Sequence, residues 1–405
     1  MYREAVALRA LCLLLFLPVT SSDQQRAAKT PAGDPSPYDY KIVLDASQPV
    51  AGHQILDIDA LDFDDAGNFA ILAFCADGVG IWASKPYAWV VFSGNAVTTA
   101  EGHQSKVRNV GPPSIGPDGS IRYQVDYQDG TPERGYTWKS GFFRDHTLIY
   151  EHDGYGVDTA SKYTPDGKVL MLEEVKTADH KSRLSLWEGG PGNINQMPTD
   201  KLSSNVNLHR ANALTVDRTT GFYAFFCALD THSGVSQSGL FGNNTFINMN
   251  DVPDLGVWRI PLLINAQGRV AFTVGQRTIV DAKPSPYKGM LLAFNDKRDL
   301  LLQNEDTPAD DPLVRDSIND MTVLQKGSVG RAGKTYLGLP SMPKYGFLGY
   351  FKHEALNNKR EVAAAVQFVP QGKFESATTI DTRTIPTIDG KPNPWLVMIA
   401  TPKSR

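Results

Sequence analysis

Hydrophobic residues along the chain fall in short runs, alternating with polar positions or forming compact apolar blocks, and tight polar turns carrying glycine stand between them. The clearest copy is LLINAQGRVAFTV, Leu262 to Val274: an apolar run, a turn at Asn265 to Gly268, then a second apolar run through Ala271 and Phe272. Apolar run, turn and apolar run read as strand, turn and strand. Glycine reaches positive φ without a Cβ clash, so a turn that needs this conformation in each copy keeps Gly while its flanks drift. No amphipathic stretch sustains a helical period beyond a few turns; Lys359 to Ala365, the best short candidate, is as easily a strand. The pattern predicts an all-β protein.

Related copies are DDAGNFAI (Asp64 to Ile71), GPDGSIRY (Gly116 to Tyr123), TPDGKVLM (Thr164 to Met171) and TTGFYAFF (Thr219 to Phe226). Looser ones are NDMTVLQ (Asn319 to Gln325) and the stretch Ile388 to Ala400. The markers Gly67, Gly119, Gly167, Gly221 and Gly268 recur at a spacing of about 50 residues, with Thr322 and Pro392 in the marker position of the last two copies. A period of this size suits one four-stranded propeller blade. A second marker, an aromatic ending a strand after each turn, is read at Trp82, Trp138, Trp187, Phe241, Phe294 and Phe351. The missing aromatic falls after Pro392, and the residues from there to the end, joined to Tyr38 to Gly67, make up about one period. The expected fold is therefore a single β-propeller over residues 38–405, with seven blades and the last one closed by both termini; six blades is the alternative. In that closure the strand Tyr40 to Leu44 pairs with Trp395 to Ile399, which removes two exposed sheet edges.

With the repeats in view, the chain resembles the secreted bacterial tandem-repeat proteins that carry an Asn-x-x-Gly-x-x-Ala-Phe signature. Asn265, Gly268, Ala271 and Phe272 match it in full; Asp64, Gly67 and Ala70 match in part, with Ile71 for Phe, and Thr322 replaces the glycine. The resemblance spans about residues 38–400 and implies a propeller-like fold. Its motif is structural and implies no catalytic residues.

Composition narrows the function. Residues 1–22 carry two arginines, an apolar run Ala10 to Leu17, Pro18 and small residues, the pattern of a secretory signal peptide whose apolar run is too short to span a bilayer. Residues 23–37, polar and proline-bearing, read as a flexible leader. Secretion or a periplasmic location follows as the expectation. A formal net charge of −4 without a basic block gives no electrostatic case for nucleic acid.

Chemistry is sparse. Asp57, Asp59, Asp62, Asp64 and Asp65 crowd one stretch, where turn roles are favoured over calcium because an EF-hand beginning at Asp62 would put Ala66 and Ala73 at ligand positions. No histidine pair has the i, i+4 spacing of a zinc helix. For a metal held across blades, the residues to inspect are His209, Asn212, Asp217 and Asn265. No Gly-x-Ser-x-Gly elbow and no phosphate-binding glycine loop before a helix occurs. Cys75 and Cys227, left after signal cleavage, occupy near-equivalent strands of distant blades and are expected to stay unpaired. The reading favours a monomeric, non-enzymatic binding scaffold for a protein or polysaccharide ligand, with no cofactor predicted and calcium the one ion left open; a metal-dependent hydrolase or lyase with its site at the channel mouth is the alternative.

Overall fold

The turn that punctuates the sequence is one hydrogen-bonded structure used repeatedly. In a computed structural model of the protein, which describes residues 38–131, 135–153, 161–176, 182–190, 193–196, 206–231, 236–242, 245–248, 262–274, 277–281, 283–288, 290–303, 321–324, 334–336, 348–369, 387–388, 391–392 and 394–404, Gly67 N donates to Asp64 O (3.2 Å) and Asp64 N to Asn68 O (3.0 Å). The same pair of bonds closes Gly116–Ser120, Thr164–Lys168 and Asn265–Arg269. Gly67, Gly119, Gly167 and Gly268 all sit at positive φ, between 70° and 85°, where a side chain would be strained. Asp217 to Phe222 is the same turn with one residue more, and Gly221 (φ 76°) keeps the role.

Two further copies correct the sequence reading. The next turns are Asn295–Asp299 and Asn357–Glu361, closed by the same bonds, with Arg298 (φ 64°) and Arg360 (φ 66°) in the glycine position. Thr322 lies instead in the strand Met321–Leu324, and Pro392 in the short strand Lys391–Pro392. A search keyed on glycine passes over arginine, because the backbone penalty at that position is only about 1–2 kcal/mol and other contacts outweigh it. Arg360 has such a contact, Nε to Asp299 Oδ2 at 2.8 Å. The aromatic markers shift accordingly. Trp82, Trp138, Trp187 and Phe241 lie two strands after their turns, as expected, but Phe294 and Phe351 lie on the strands before theirs, Met290–Phe294 and Leu348–Leu356.

All described elements are strands, with no helix among the described residues. Five sheets are antiparallel meanders of four consecutive strands, the unit of a propeller. The first holds Ile55–Phe63, Phe69–Cys75, Gly78–Ala83 and Ala88–Phe92. The others begin at Ser161, Val206, Leu263 and Met290. Between the first and the second of these lies a six-stranded sheet built on Ile121–Thr131, Gly135–Arg144 and Thr147–Asp153, with Gln104–Val110 on its other side. A terminal sheet joins both ends of the chain: Tyr38–Asp45 pairs with Leu396–Pro402, which pairs with Val362–Val369. Lys41 opposes Ile399 and Ile42 opposes Met398, so the pairing anticipated from the apolar strands is present.

Period-two alternation explains the repeat. Three residues after the turn glycine, a side chain faces the following sheet; four residues after, the next one faces the preceding sheet. Ala271 packs with Leu291 and Leu300 of the next sheet, whereas Phe272 packs with Ala224, Phe226 and Leu240 of the one before. Ala70 and Ile71 divide in the same way, as do Ala363, which faces Phe63 and Ile71 of the first sheet, and Ala364, which faces Leu301. Each of these strands is thus buried on both faces, and fully burying one large apolar side chain contributes about 1.5–3 kcal/mol. The six-stranded sheet departs from this at Arg122, which stands where the others have alanine or leucine yet is 2% exposed. Its guanidinium donates to Thr164 O (2.5 Å) and Pro165 O (3.1 Å) in the following sheet's turn, so the buried charge meets carbonyls in place of apolar packing.

Candidate functional site

Seen from the turns, neighbouring sheets are tied by a relay of asparagines. Asn265 Oδ1 accepts from Gln267 N (3.1 Å) and Arg269 N (3.0 Å), which caps its own turn, while its Nδ2 donates to Asn295 O (3.2 Å) in the next. Asn295 Nδ2 donates in turn to Asn357 O (3.0 Å), and Asn357 Nδ2 to Asp64 O (3.2 Å) in the first sheet. A second row runs beside it: Ala266 N to Asp296 Oδ1, Asp296 N to Asn358 Oδ1, and Asn358 N to Asp65 Oδ1, each between 2.7 and 2.8 Å.

Three of the five aspartates of the crowded stretch are bonded here. Asp64 caps its turn through Asn68 N (2.7 Å), Asp65 receives Asn358, and Asp62 Oδ2 accepts from Ile115 N (2.6 Å) of the six-stranded sheet. Arg218, from the Asp217 turn, also reaches Asp62 Oδ2 (3.3 Å) and Phe63 O (3.0 Å). Asp62, with smaller contributions from Asp65, Asp64 and Asp217, raises the Arg218 guanidinium above its ordinary pKa against the opposing effect of burial. This acidic group therefore already holds its cation.

Of the four residues singled out for a metal across blades, Asp217 and Asn265 are buried turn residues. Asp217 Oδ1 accepts from the N–H and hydroxyl of both Thr219 and Thr220, at 2.7 to 3.0 Å. His209 and Asn212 lie on the strand Val206–Val216, and their side chains fall outside the described residues. Among the aromatic markers, Trp82 and Phe241 are fully buried and Trp138 is half-buried; the side chains of Trp187 and Phe351 fall outside the described residues. Cys75 is a buried free thiol, pushed up to about 12 by burial and by Asp77. The Cys227 side chain falls outside the described residues.

A polar cluster that sequence reading missed sits on the six-stranded sheet. Lys139 Nζ lies 2.6 Å from Glu151 Oε1 and 3.4 Å from Asp129 Oδ2, and Tyr127 donates its hydroxyl to Glu151. Burial drives the Asp129 carboxyl up, but the Gly130 N–H, Lys139 and His103 together outweigh it and hold the group below the ordinary carboxylate range. Glu151 is likewise raised by burial and lowered, on balance, by Lys139, Tyr127 and the Ala100 N–H. The hydrogen bond to Glu151 raises Lys139 despite its burial. His103 Nδ1 stands 3.8 Å from Asp129 Oδ1 and 3.8 Å from Glu101 Oε2. The local signal was Glu101-Gly102-His103, an i, i+2 pair; a search at helical i, i+4 spacing does not find it, and Asp129 comes from a separate strand.

No family model matches the chain, and no curated protein matches it. Among solved structures it is similar to the acylaminoacyl peptidase of Pyrococcus horikoshii, at 10% identity and a TM-score of 0.42, over 78% of this chain and 51% of that one. It is also similar to the β-propeller domain of the Trilobed protease from Pyrococcus furiosus (11% identity, TM-score 0.34, 70% of this chain and 98% of that one). A protein of unknown function from Dyadobacter fermentans is a third (8% identity, TM-score 0.33, 90% and 99%). The chain spans about half the length of the acylaminoacyl peptidases it matches.

Proposed function

We propose that this protein is a secreted or periplasmic propeller of seven blades, akin to the Asn-x-x-Gly-x-x-Ala-Phe tandem-repeat proteins, and that it works as a non-catalytic scaffold presenting its loops to a protein or polysaccharide ligand. The relay of turns carries this reading. Turn side chains are spent on bonds to the neighbouring turn, from Asn265 through Asn295 and Asn357 back to Asp64, which suits a rigid frame. The seven-blade count is supported by the turn at Asp64, Gly116, Thr164, Asp217, Asn265, Asn295 and Asn357, and by the pairing of Tyr38–Asp45 with Leu396–Pro402. The signature itself supports the family reading: Asn265 caps and donates, Gly268 takes positive φ, and Ala271 and Phe272 are wholly buried on opposite faces. A hydrolytic metal at the Asp62 cluster is disfavoured, since Arg218 already stands 3.3 Å from Asp62 Oδ2.

Retention and turnover separate the two functions. The purified protein is incubated with a panel of insoluble and soluble polysaccharides, with and without chelator, and both bound protein and released reducing or unsaturated ends are measured. Binding without release is the expected result for a polysaccharide scaffold. Release of product that stops on chelation refutes the scaffold and establishes the hydrolase or lyase.

A further inference from the structure

We propose that Glu101, His103 and Asp129 form a site for a zinc-type divalent cation at the edge of the six-stranded sheet. One ligand atom from each of the three lies within 4.8 Å of the others. Zinc bound to nitrogen and oxygen at roughly 2.0–2.2 Å in a tetrahedron sets neighbouring ligand atoms about 3.3–3.5 Å apart. The 3.8 Å separations from His103 Nδ1 to Glu101 Oε2 and to Asp129 Oδ1 are therefore a few tenths of an ångström from closure, by order of magnitude. The adjustment falls on Glu101 and His103, whose side chains are 63% and 56% exposed; Asp129, at 7%, is the fixed ligand.

The protein's own bonding brings the three together. Glu101 and His103 flank Gly102 in the turn between Ala96–Thr98 and Gln104–Val110, which Gly102 N closes onto Thr99 O (3.0 Å) and His103 N onto Thr99 Oγ1 (3.1 Å). Ala100 N, donating to Glu151 Oε2 (3.2 Å), holds that turn over the sheet. Charge points the same way. Lys139 makes its short contact with Glu151 Oε1 (2.6 Å) and a longer one with Asp129 Oδ2 (3.4 Å), while His103 Nδ1 stands by the other Asp129 oxygen, Oδ1 (3.8 Å). An imidazole with two carboxylates suits zinc and similar transition ions, whereas calcium takes six to eight oxygens.

The test uses the purified, untagged protein after chelator treatment, titrated with zinc by calorimetry and with cobalt(II) by visible absorption. One ion per chain and the intense absorption of tetrahedral cobalt are expected, with His103→Ala and Glu101→Gln each weakening binding at least tenfold. Both residues are exposed in a turn, and circular dichroism checks that the variants fold. The proposal is overturned if the protein takes up no ion, or if the double variant H103A/E101Q binds it as tightly as the parent.

Discussion

Replacing Asn357 by alanine tests the turn relay where the terminal sheet meets the first. Asn357 is 2% exposed and makes four hydrogen bonds: Oδ1 accepts from Lys359 N (2.9 Å) and Glu361 N (3.0 Å), and Nδ2 donates to Asp64 O (3.2 Å) and Glu361 Oε2 (2.8 Å). Four bonds at about 1 kcal/mol net each set an upper figure of about 4 kcal/mol. Lys359 is exposed and Glu361 half-exposed, so water recovers part of the loss, and the expected destabilisation is about 2–3 kcal/mol. Urea denaturation followed by tryptophan fluorescence measures it as a fall in midpoint at constant slope. Asn357→Asp keeps the accepting oxygen but loses the donor to Asp64 and sets a second carboxylate against Glu361, so it should be no better than alanine. Asn265→Ala, 1% exposed in the same role, should cost a similar amount. A loss below about 0.5 kcal/mol at Asn357 beside a full loss at Asn265 would show that the contact to Asp64 is not made in solution.

Three further outcomes are expected. Arg298→Gly should raise stability by about 0.5 kcal/mol, since relief of a positive φ of 64° exceeds the entropy glycine adds to the unfolded chain and, among the described residues, the Arg298 side chain makes a single long contact, 3.9 Å to Asp281; a drop in the denaturation midpoint would contradict this. Deleting residues 38–46 removes the strand paired with Leu396–Pro402 along with buried Tyr38, Leu44 and Ala46, so the melt should fall and size exclusion should show association, while deletion of 23–35 should change neither. The depressed folded-state pKa values of Asp129 and Glu151 mean that their stabilisation is present above the ordinary carboxylate range and is lost as pH falls through the folded values. Melting temperatures of the protein should therefore decline below that range more steeply than those of Asp129→Asn/Glu151→Gln, and parallel profiles would refute the assignment.

Local patterning alone carried the secondary structure of this protein: short apolar runs, a glycine turn and the absence of a helical period are properties of adjacent residues, and the strands found are where those patterns stand. It also carried the closure by Tyr38–Asp45, because two apolar strands at the ends of a repeat array have no other partner that hides their edges. The meaning of the Ala-Phe pair was in the sequence as alternation, but its direction, alanine toward the next sheet and phenylalanine toward the previous one, was decided by how sheets stack. Tertiary structure alone located the last two turns, since Arg298 and Arg360 hold a glycine's conformation for reasons that lie in packing and, for Arg360, in an ion pair with Asp299 on another sheet. It alone gave Arg122 carbonyl partners in the following sheet, joined Arg218 to Asp62, and set His103 beside Asp129. Backbone propensity acts between neighbours in the chain, whereas the pairing of charges and donors depends on which distant strands the completed stack brings together.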